Sequence, residues 1–379
     1  MAIKQMNRTR RSNDGSESHA GFGKTLTPEM VVLARESRGM TQKDLAEKLN
    51  ISQGRLSKIE AGQSPASKQV VRDLCAHLDY PEGFFSQECR VFGPSTSEFY
   101  HRKRKATSAR EIARIHAQIN IRTAHVSRLL KSAELEDENF PRLDPEEFGG
   151  SPDEIARAMR ATWHLPPGPV KSVVDTLEDA GGIVVRFPFG TRLIDAVSRW
   201  IPGMPPMFFV NESIPPDRER LTLAHEIGHL VMHQALSPNI EDEANAFAAE
   251  FLMPAAEIRS QLSNLTIHKL ASLKPYWRVS MQALLRRGAD LGTITRGQAQ
   301  YLWMQISRMG YRTREPAELD PPREIPQTLQ ELLDLHTTTL GFSAEQMADL
   351  AKWNRPELFA AYSLRLPGKE SPSSMRLVK

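Results

Sequence analysis

Apolar residues recur every three or four positions through most of the chain, and short polar or glycine-bearing breaks cut that pattern into helices. Thr27 with Glu29 suits an N-cap and first turn, and Pro28 fits the first helical position. The helix they open presents Met30, Val31, Leu33 and Ala34 on one face and stops at Gly39. In the next segment, TQKDLAEKL, Thr41 is the cap, Leu45, Ala46 and Leu49 face inward, and Asn50 breaks the helix. Ser52 caps a third helix in which Leu56 and Ile59 are buried, leaving Gln53, Gly54, Arg55, Ser57 and Lys58 for contact. Gly62 ends it, and SPASKQVVRDLCAHL begins a fourth.

Residues 108 to 135 read as one long helix, followed by LEDENFPRLDPEEFGGSPDE, an acidic linker bearing Pro and Gly. Ser151, with Pro152 and Glu154, opens a helix that runs through Trp163, and PGPVKSVVDTLEDAGG reads as another with a glycine stop. The pattern then changes. GIVVRFPF, DAVSRWI and MFFVNE are β-rich runs separated by turns and predict a small sheet. LTLAHEIGHLVMHQ returns directly to helix, and beyond Pro254 both KPYWRVSMQALLRRGADLGTITRGQAQYLWMQI and REIPQTLQELLDLHTTTLGFSAEQMADLAKWN keep helical spacing. The expected fold class is α+β and mostly α, with an N-terminal helical bundle, a small sheet beside the HEIGH helix and a helical C-terminal region.

A length of 379 residues exceeds one typical core and predicts two or three domains. At 40% hydrophobic and 25% charged residues the composition is that of an ordinary globular protein. No run of about 18 apolar residues exists to span a bilayer, and residues 1–24 are basic and polar without the apolar core of a secretion signal. They read as a flexible tail. The two cysteines, Cys75 and Cys89, lack metal-ligand spacing, and such sparse use fits a reducing cytoplasm, which is the expected location. The net charge of +3 hides an uneven distribution: from Arg102 to Lys131 the chain carries nine Lys and Arg against one acid, Glu111. That run can serve a polyanion such as single-stranded DNA, or it can be the solvated face of a helix.

Two short helices joined by about four residues, the second rich in exposed polar side chains, are what lays one helix in the major groove of DNA. Gln42, Leu45, Ala46, Ser52, Leu56, Ser57, Ile59, Glu60 and Gly62 together resemble the lambda-repressor-type XRE helix-turn-helix module. Carried over residue by residue, the resemblance makes Gln42, Gln53 and Lys58 readers of bases or phosphates, with Arg55 and Ser57 as supporting contacts. Gly54 replaces a side chain that many relatives use. XRE modules commonly read palindromic sites as dimers, so a homodimer on a double-stranded operator is expected.

The motif HEIGH offers a different chemistry. Residues four apart stack on one helix face, so His225 and His229 can present ring nitrogens to one zinc ion. The carboxylate of Glu226 beside them can take a proton from water at the metal while the metal polarises a peptide carbonyl. Leu221, Leu223, Ala224, Ile227, Leu230 and Val231 make the rest of the helix apolar, an interior that unpaired histidines would enter at a cost. Gly228 lowers helix propensity, which suits a position that backbone or substrate must approach closely. His233 continues the row and reads as a group behind the ligands or on the surface. A metzincin needs Gly at 232 and His at 235, where this chain has Met232 and Ala235, so that class is excluded.

A third ligand must come from elsewhere, and the acidic helix start IEDEANAFAAEFLMP is close by. Paired with LTLAHEIGH, this stretch resembles the ImmA/IrrE family of zinc peptidases, whose third ligand is a glutamate on this helix. The resemblance assigns that role to Glu243, before Ala244 and Asn245; periodicity leaves Glu241 at least as near the buried face. Acids there also complement the helix dipole. In the helical region that follows, His268, Tyr276 or Arg278 is a candidate donor for a tetrahedral oxyanion, although an ordinary core or surface role is the commoner one for each.

The two resemblances together cover most of residues 26 to 360. They imply a domain order of tail (1–24), XRE helix-turn-helix (25–88), helical connector and linker (89–150), zinc peptidase (151–265) and helical C-terminal region (266–379). They imply a DNA-binding regulator that cleaves a partner repressor, or itself near residues 89 to 150, to relieve repression in a stress, mobile-element or defence response. The rival reading is an XRE regulator whose zincin-like domain senses a ligand or serves as scaffold.

Overall fold

The computed structural model describes residues 4–5, 26–87, 91–93, 108–134, 138–233 and 238–364. They form two compact units, one built from 4–5, 26–87, 91–93, 108–134 and 329–364, the other from 138–233 and 238–328.

The first unit opens with β1 (Lys4–Gln5), which pairs antiparallel with β2 (Ala133–Glu134); the rest of the expected flexible tail lies outside the described residues. α1 (Pro28–Ser37) buries Met30, Val31, Leu33 and Ala34 as its spacing requires. Thr27 sits at its N-cap but makes no side-chain cap bond; its backbone N–H donates to Phe85 O at 2.8 Å instead. α2 (Gln42–Lys48) starts with a full capping box: Thr41 Oγ1 accepts from Asp44 N at 3.1 Å and the Asp44 carboxylate accepts from Thr41 N at 2.9 Å. Asn50, at φ 51°, turns the chain into α3 (Gln53–Glu60), capped by Ser52 Oγ on Arg55 N at 3.2 Å. α4 (Lys68–Leu78) and α5 (Glu82–Phe85) close a core around Leu45, Leu56, Leu74, Tyr80, Phe84 and Phe85.

The long basic helix is present as α6 (Ala109–Leu129), and it packs on α1. Gln118 Nε2 donates to Ser37 O at 3.0 Å, and Arg110 donates to Gly39 O. Its arginines are largely spent inside the protein. Arg122 is buried over the Trp353 ring, and Arg128 Nη1 donates to Ala351 O at 3.0 Å. A solvated basic face is thus found only at Arg110 and Lys131 among the described Lys and Arg of this run; Arg102 to Lys105 lie outside the described residues.

In the second unit the stretch read as linker contains a turn of helix, α7 (Pro145–Phe148), capped by Asp144. α8 (Pro152–Thr162) follows the Ser151–Glu154 capping box. α9 (Val173–Asp179) starts later than its spacing suggested, because Pro167, Gly168 (φ 91°) and Pro169 are unsuited to a helix interior and Ser172 supplies the cap. β3 (Ile183–Phe187), β4 (Ala196–Arg199) and β5 (Met207–Asn211) form a sheet in the order β3-β5-β4; β5 runs parallel to β3 and antiparallel to β4, with Ser198 opposite Phe208. β5 is central and wholly buried, which explains its unbroken apolar run.

Against this sheet lies α10 (Pro216–Met232), which carries HEIGH, and against α10 lies α11 (Ile240–Leu252). At Gly228 the two helices pack tightly: a Cβ there would lie 3.1 Å from Phe247 Cδ1 and 3.2 Å from its Cγ. The group that approaches Gly228 is thus the Phe247 side chain, not the backbone or substrate that its place in the helix suggested. Gly228→Val should force the helices apart and cost about 1–3 kcal/mol through overpacking, read from urea unfolding. An unchanged midpoint would mean that the Phe247 ring yields freely.

α12 (Ala255–Ile258), α13 (Ile267–Trp277), α14 (Met281–Asp290) and α15 (Arg296–Arg308) extend the same core. The segment after them is tied to the start of α10 by charge. Lys274 Nζ donates to Asp217 Oδ2 at 2.6 Å and Glu315 Oε2 at 2.8 Å and lies 2.8 Å from Asp320 Oδ1. Glu219 accepts from Arg186 Nε at 2.8 Å and Arg323 Nη1 at 2.7 Å, while Glu324 pairs with Arg220 and caps α9 through Val173 N and Val174 N.

α16 (Thr328–Asp334), α17 (Ala344–Ala351) and α18 (Arg355–Tyr362) complete the chain. From residue 329 onward they belong to the first unit: both Glu357 oxygens accept from Arg38, at 2.6 and 2.7 Å, and Tyr362 OH lies 2.9 Å from Nδ1 of buried His125. The helical C-terminal region is thus shared between the units, 266–328 going to one and 329–364 to the other.

Candidate functional site

On α3, Leu56 and Ile59 point into the core, and Gln53, Gly54, Arg55, Ser57 and Lys58 are all exposed. These side chains form one polar surface, and a Cβ at Gly54 would meet nothing within 4 Å, so the helix is open to an approaching groove. Gln42, the first residue of α2, is held: its Nε2 donates to Glu60 Oε2 at 2.8 Å, and Glu60 also accepts from Arg35 Nε at 2.6 Å.

In the second unit the i, i+4 spacing on α10 brings His225 Nε2 within 2.9 Å of His229 Nε2. From the first turn of α11, Glu241 joins them, with Oε1 3.4 Å from His229 Nε2 and Oε2 3.9 Å from His225 Nε2. These three residues offer ligand atoms that all lie within 4.8 Å of one another. Glu243 goes elsewhere: its Oε2 is 3.0 Å from His233 Nε2, and His233 Nδ1 is 3.0 Å from His229 Nδ1. Burial, with the neighbouring His229 acting the same way, pushes the His233 imidazole down to about 3, so it is neutral at physiological pH.

Does this donor set fit zinc? Ligand atoms about 2.0–2.2 Å from a tetrahedral zinc lie roughly 3.3–3.5 Å from one another, close to the spacings of His225, His229 and Glu241. Asn245, one turn beyond Glu241, places Oδ1 3.1 Å from His225 Nδ1. An acceptor there holds the proton on Nδ1 and leaves the Nε2 lone pair facing His229. Two imidazole nitrogens and a carboxylate thus converge on one point, a donor set that suits a divalent cation such as zinc. His225, His229 and Glu241 would hold that ion.

Glu226 faces the sheet. It is only 2% exposed, and its Oε2 accepts from Ser198 N at 2.9 Å and from Ser198 Oγ at 2.5 Å. β4 thereby fixes one carboxylate oxygen of the residue that follows the first histidine. Neither Ser198 nor Asn245 was singled out by spacing. The one signal for Ser198 is a small hydroxyl inside the apolar run DAVSRWI. Of the anticipated oxyanion donors, His268 and Tyr276 are exposed and Arg278 donates to Lys171 O; none belongs to the cluster of His225, His229 and Glu241.

Comparison with known families separates the same two parts. The IrrE N-terminal-like domain, of the M78 peptidases, matches residues 178–288, and a helix-turn-helix family matches residues 33–85. The chain carries both domains. No curated protein matches the chain. The M78 match runs from the end of α9 into α14 and contains the sheet, α10 and α11, hence the whole histidine cluster. Members of that family are zinc metallopeptidases. The helix-turn-helix match, of the XRE type, spans α2 and α3 with their exposed polar surface and marks a DNA-binding module. Among the described residues no helix is long and apolar enough to cross a membrane.

Proposed function

We propose that this chain is a DNA-binding transcription regulator whose M78 domain is a zinc metalloendopeptidase, with His225, His229 and Glu241 as metal ligands and Glu226 as general base. The observation that carries it is the convergence of two histidines and a carboxylate on one point beside a buried, oriented Glu226. Zinc, when bound, supplies a Lewis acid that polarises a peptide carbonyl. The remaining work falls to the protein. Ser198 holds Glu226 Oε2, which leaves Oε1 to take a proton from the attacking water and return it to the leaving amine. Asn245 keeps the His225 ring in its ligating tautomer.

On the DNA side, Gln42, Gln53, Arg55, Ser57 and Lys58 contact a double-stranded operator, and a homodimer reads its two half-sites. The substrate is a protein, either a partner repressor of the XRE type or the chain itself, cut between residues 89 and 150. The result is relief of repression in a stress, mobile-element or defence response. Activation by single-stranded DNA gains little support from α6, whose Arg122 and Arg128 are bound within the protein. One observation favours a non-proteolytic regulator instead: Glu226 is buried, and its two bonds to Ser198 would also suit a purely structural carboxylate.

Elemental analysis of the purified protein tests the metal site. About one zinc per chain is expected in the wild type, with loss in His229→Ala and Glu241→Ala. A folded wild type that takes up no zinc when it is supplied would overturn the proposal.

A further inference from the structure

The first turn of α11 contributes two glutamates to α10, and they reach different histidines. Glu241 meets the Nε2 atoms of His225 and His229, whereas Glu243 meets His233, whose side chain is 3% exposed. Both nitrogens of His233 are engaged, Nε2 with Glu243 Oε2 and Nδ1 with His229 Nδ1, each at 3.0 Å. When His229 ligates through Nε2, its proton sits on Nδ1 and faces His233 Nδ1, which must then accept it, while the Glu243 carboxylate can only accept. Nε2 of His233 therefore carries the proton that Glu243 accepts, and its Nδ1 must accept. The proton in that second bond is the Nδ1 proton of His229, so His229 Nε2 is left with a lone pair directed at His225 and Glu241.

From this geometry we infer that His233 and Glu243 are positioning residues for the metal: a chain of two hydrogen bonds, from His229 to His233 to Glu243, locks His229 in its Nε2-ligating tautomer and orientation. The inference rests on the metallopeptidase reading above and adds to it the part played by Glu243. α11 then serves the site three times, through Glu241 as ligand, Asn245 behind His225 and Glu243 behind His233. The i, i+4 row of His225, His229 and His233 works as two ligands and one support.

Competition for Zn2+ against a chelating dye tests this, with Co2+ absorption as a second readout. His233→Phe keeps a ring but removes the acceptor, and zinc affinity should fall about 10- to 100-fold. Glu243→Leu should fall by a similar factor, and Glu243→Gln, which retains an acceptor oxygen, should recover most of the loss. Because Glu243 is partly exposed, its variants report even if the buried His233→Phe fails to fold. At saturating Co2+, Glu243→Leu should keep the wild-type visible spectrum, its ligands being intact, whereas Glu241→Gln should change it. Unchanged zinc affinity in both His233→Phe and Glu243→Leu would overturn the inference while leaving the metal site standing. An altered Co2+ spectrum in Glu243→Leu would overturn it by making Glu243 itself a ligand. A wild type that binds neither ion would instead remove the metallopeptidase reading, and the inference with it.

Discussion

Lys274→Met should lower the unfolding free energy of the unit that carries the M78 domain by about 3–5 kcal/mol at neutral pH, the usual cost of removing one partner from a buried ionic cluster. Lys274 is fully buried, with its ammonium against Asp217, Glu315 and Asp320 at 2.6 to 2.8 Å. Burial alone would pull its pKa down, but the hydrogen bonds to Asp217, Asp320 and Glu315 outweigh that and raise it above the ordinary lysine value. A raised cationic pKa contributes stability that is fully present below the unfolded value, about 10.4, and is lost only as pH rises through the folded one. At pH 7 the whole contribution is therefore in force.

Methionine fills the space and leaves three acids with little to balance them. Two of them hold more than Lys274: Asp217 lies in the first turn of α10, and Glu315 also accepts from Met281 N at 2.9 Å and Gln282 N at 3.1 Å at the start of α14. Urea unfolding of wild type and variant at pH 7 measures the effect. A difference under about 1 kcal/mol at pH 7 would show that Arg314, which pairs with Asp320 at 2.5 Å, already neutralises the cluster.

What the sequence made legible was local. Thr41, Ser52 and Ser151 act within three residues of themselves, and they cap the helices that their positions imply. HEIGH places two histidines on one face by helical spacing alone. Contacts across distant segments were not legible. The resemblance favoured Glu243 and the spacing left Glu241 open, and what separates them in space is the crossing of α10 and α11, fixed where Gly228 admits Phe247. Ser198 reaches Glu226 from a strand 28 residues earlier, a pairing no period encodes. The basic run of α6 illustrates a different limit, because long arginine stems pack as readily as their heads solvate. Only the fold shows Arg122 lying over Trp353 rather than facing solvent. Likewise Lys274 stands in KPYW, beside the exposed Tyr276, and nothing in that spacing marks it as the centre of an ionic cluster.

Glu226→Gln should slow peptide cleavage by about 10²- to 10⁴-fold, the range a general base supplies, while leaving zinc near one per chain. The argument turns on Ser198. Its N–H and hydroxyl both donate to the same oxygen of Glu226, so a glutamine there keeps those bonds only by turning its carbonyl toward β4. The amide NH2 then occupies the place of Oε1, where it donates hydrogen bonds but accepts no proton. Fold and metal ligands persist, and only the proton acceptor is gone. Ser198→Ala, which keeps the backbone N–H and loses the hydroxyl, should cost less, because one donor still orients the carboxylate. Zinc-loaded proteins incubated alone and with an unfolded protein substrate, followed by mass spectrometry, give the rates and the cut sites. Cleavage by the wild type that survives Glu226→Gln undiminished would remove Glu226 from the mechanism. If neither protein cuts anything while both regulate transcription alike, the bonds from Ser198 to Glu226 are structural and the regulator works through DNA binding alone.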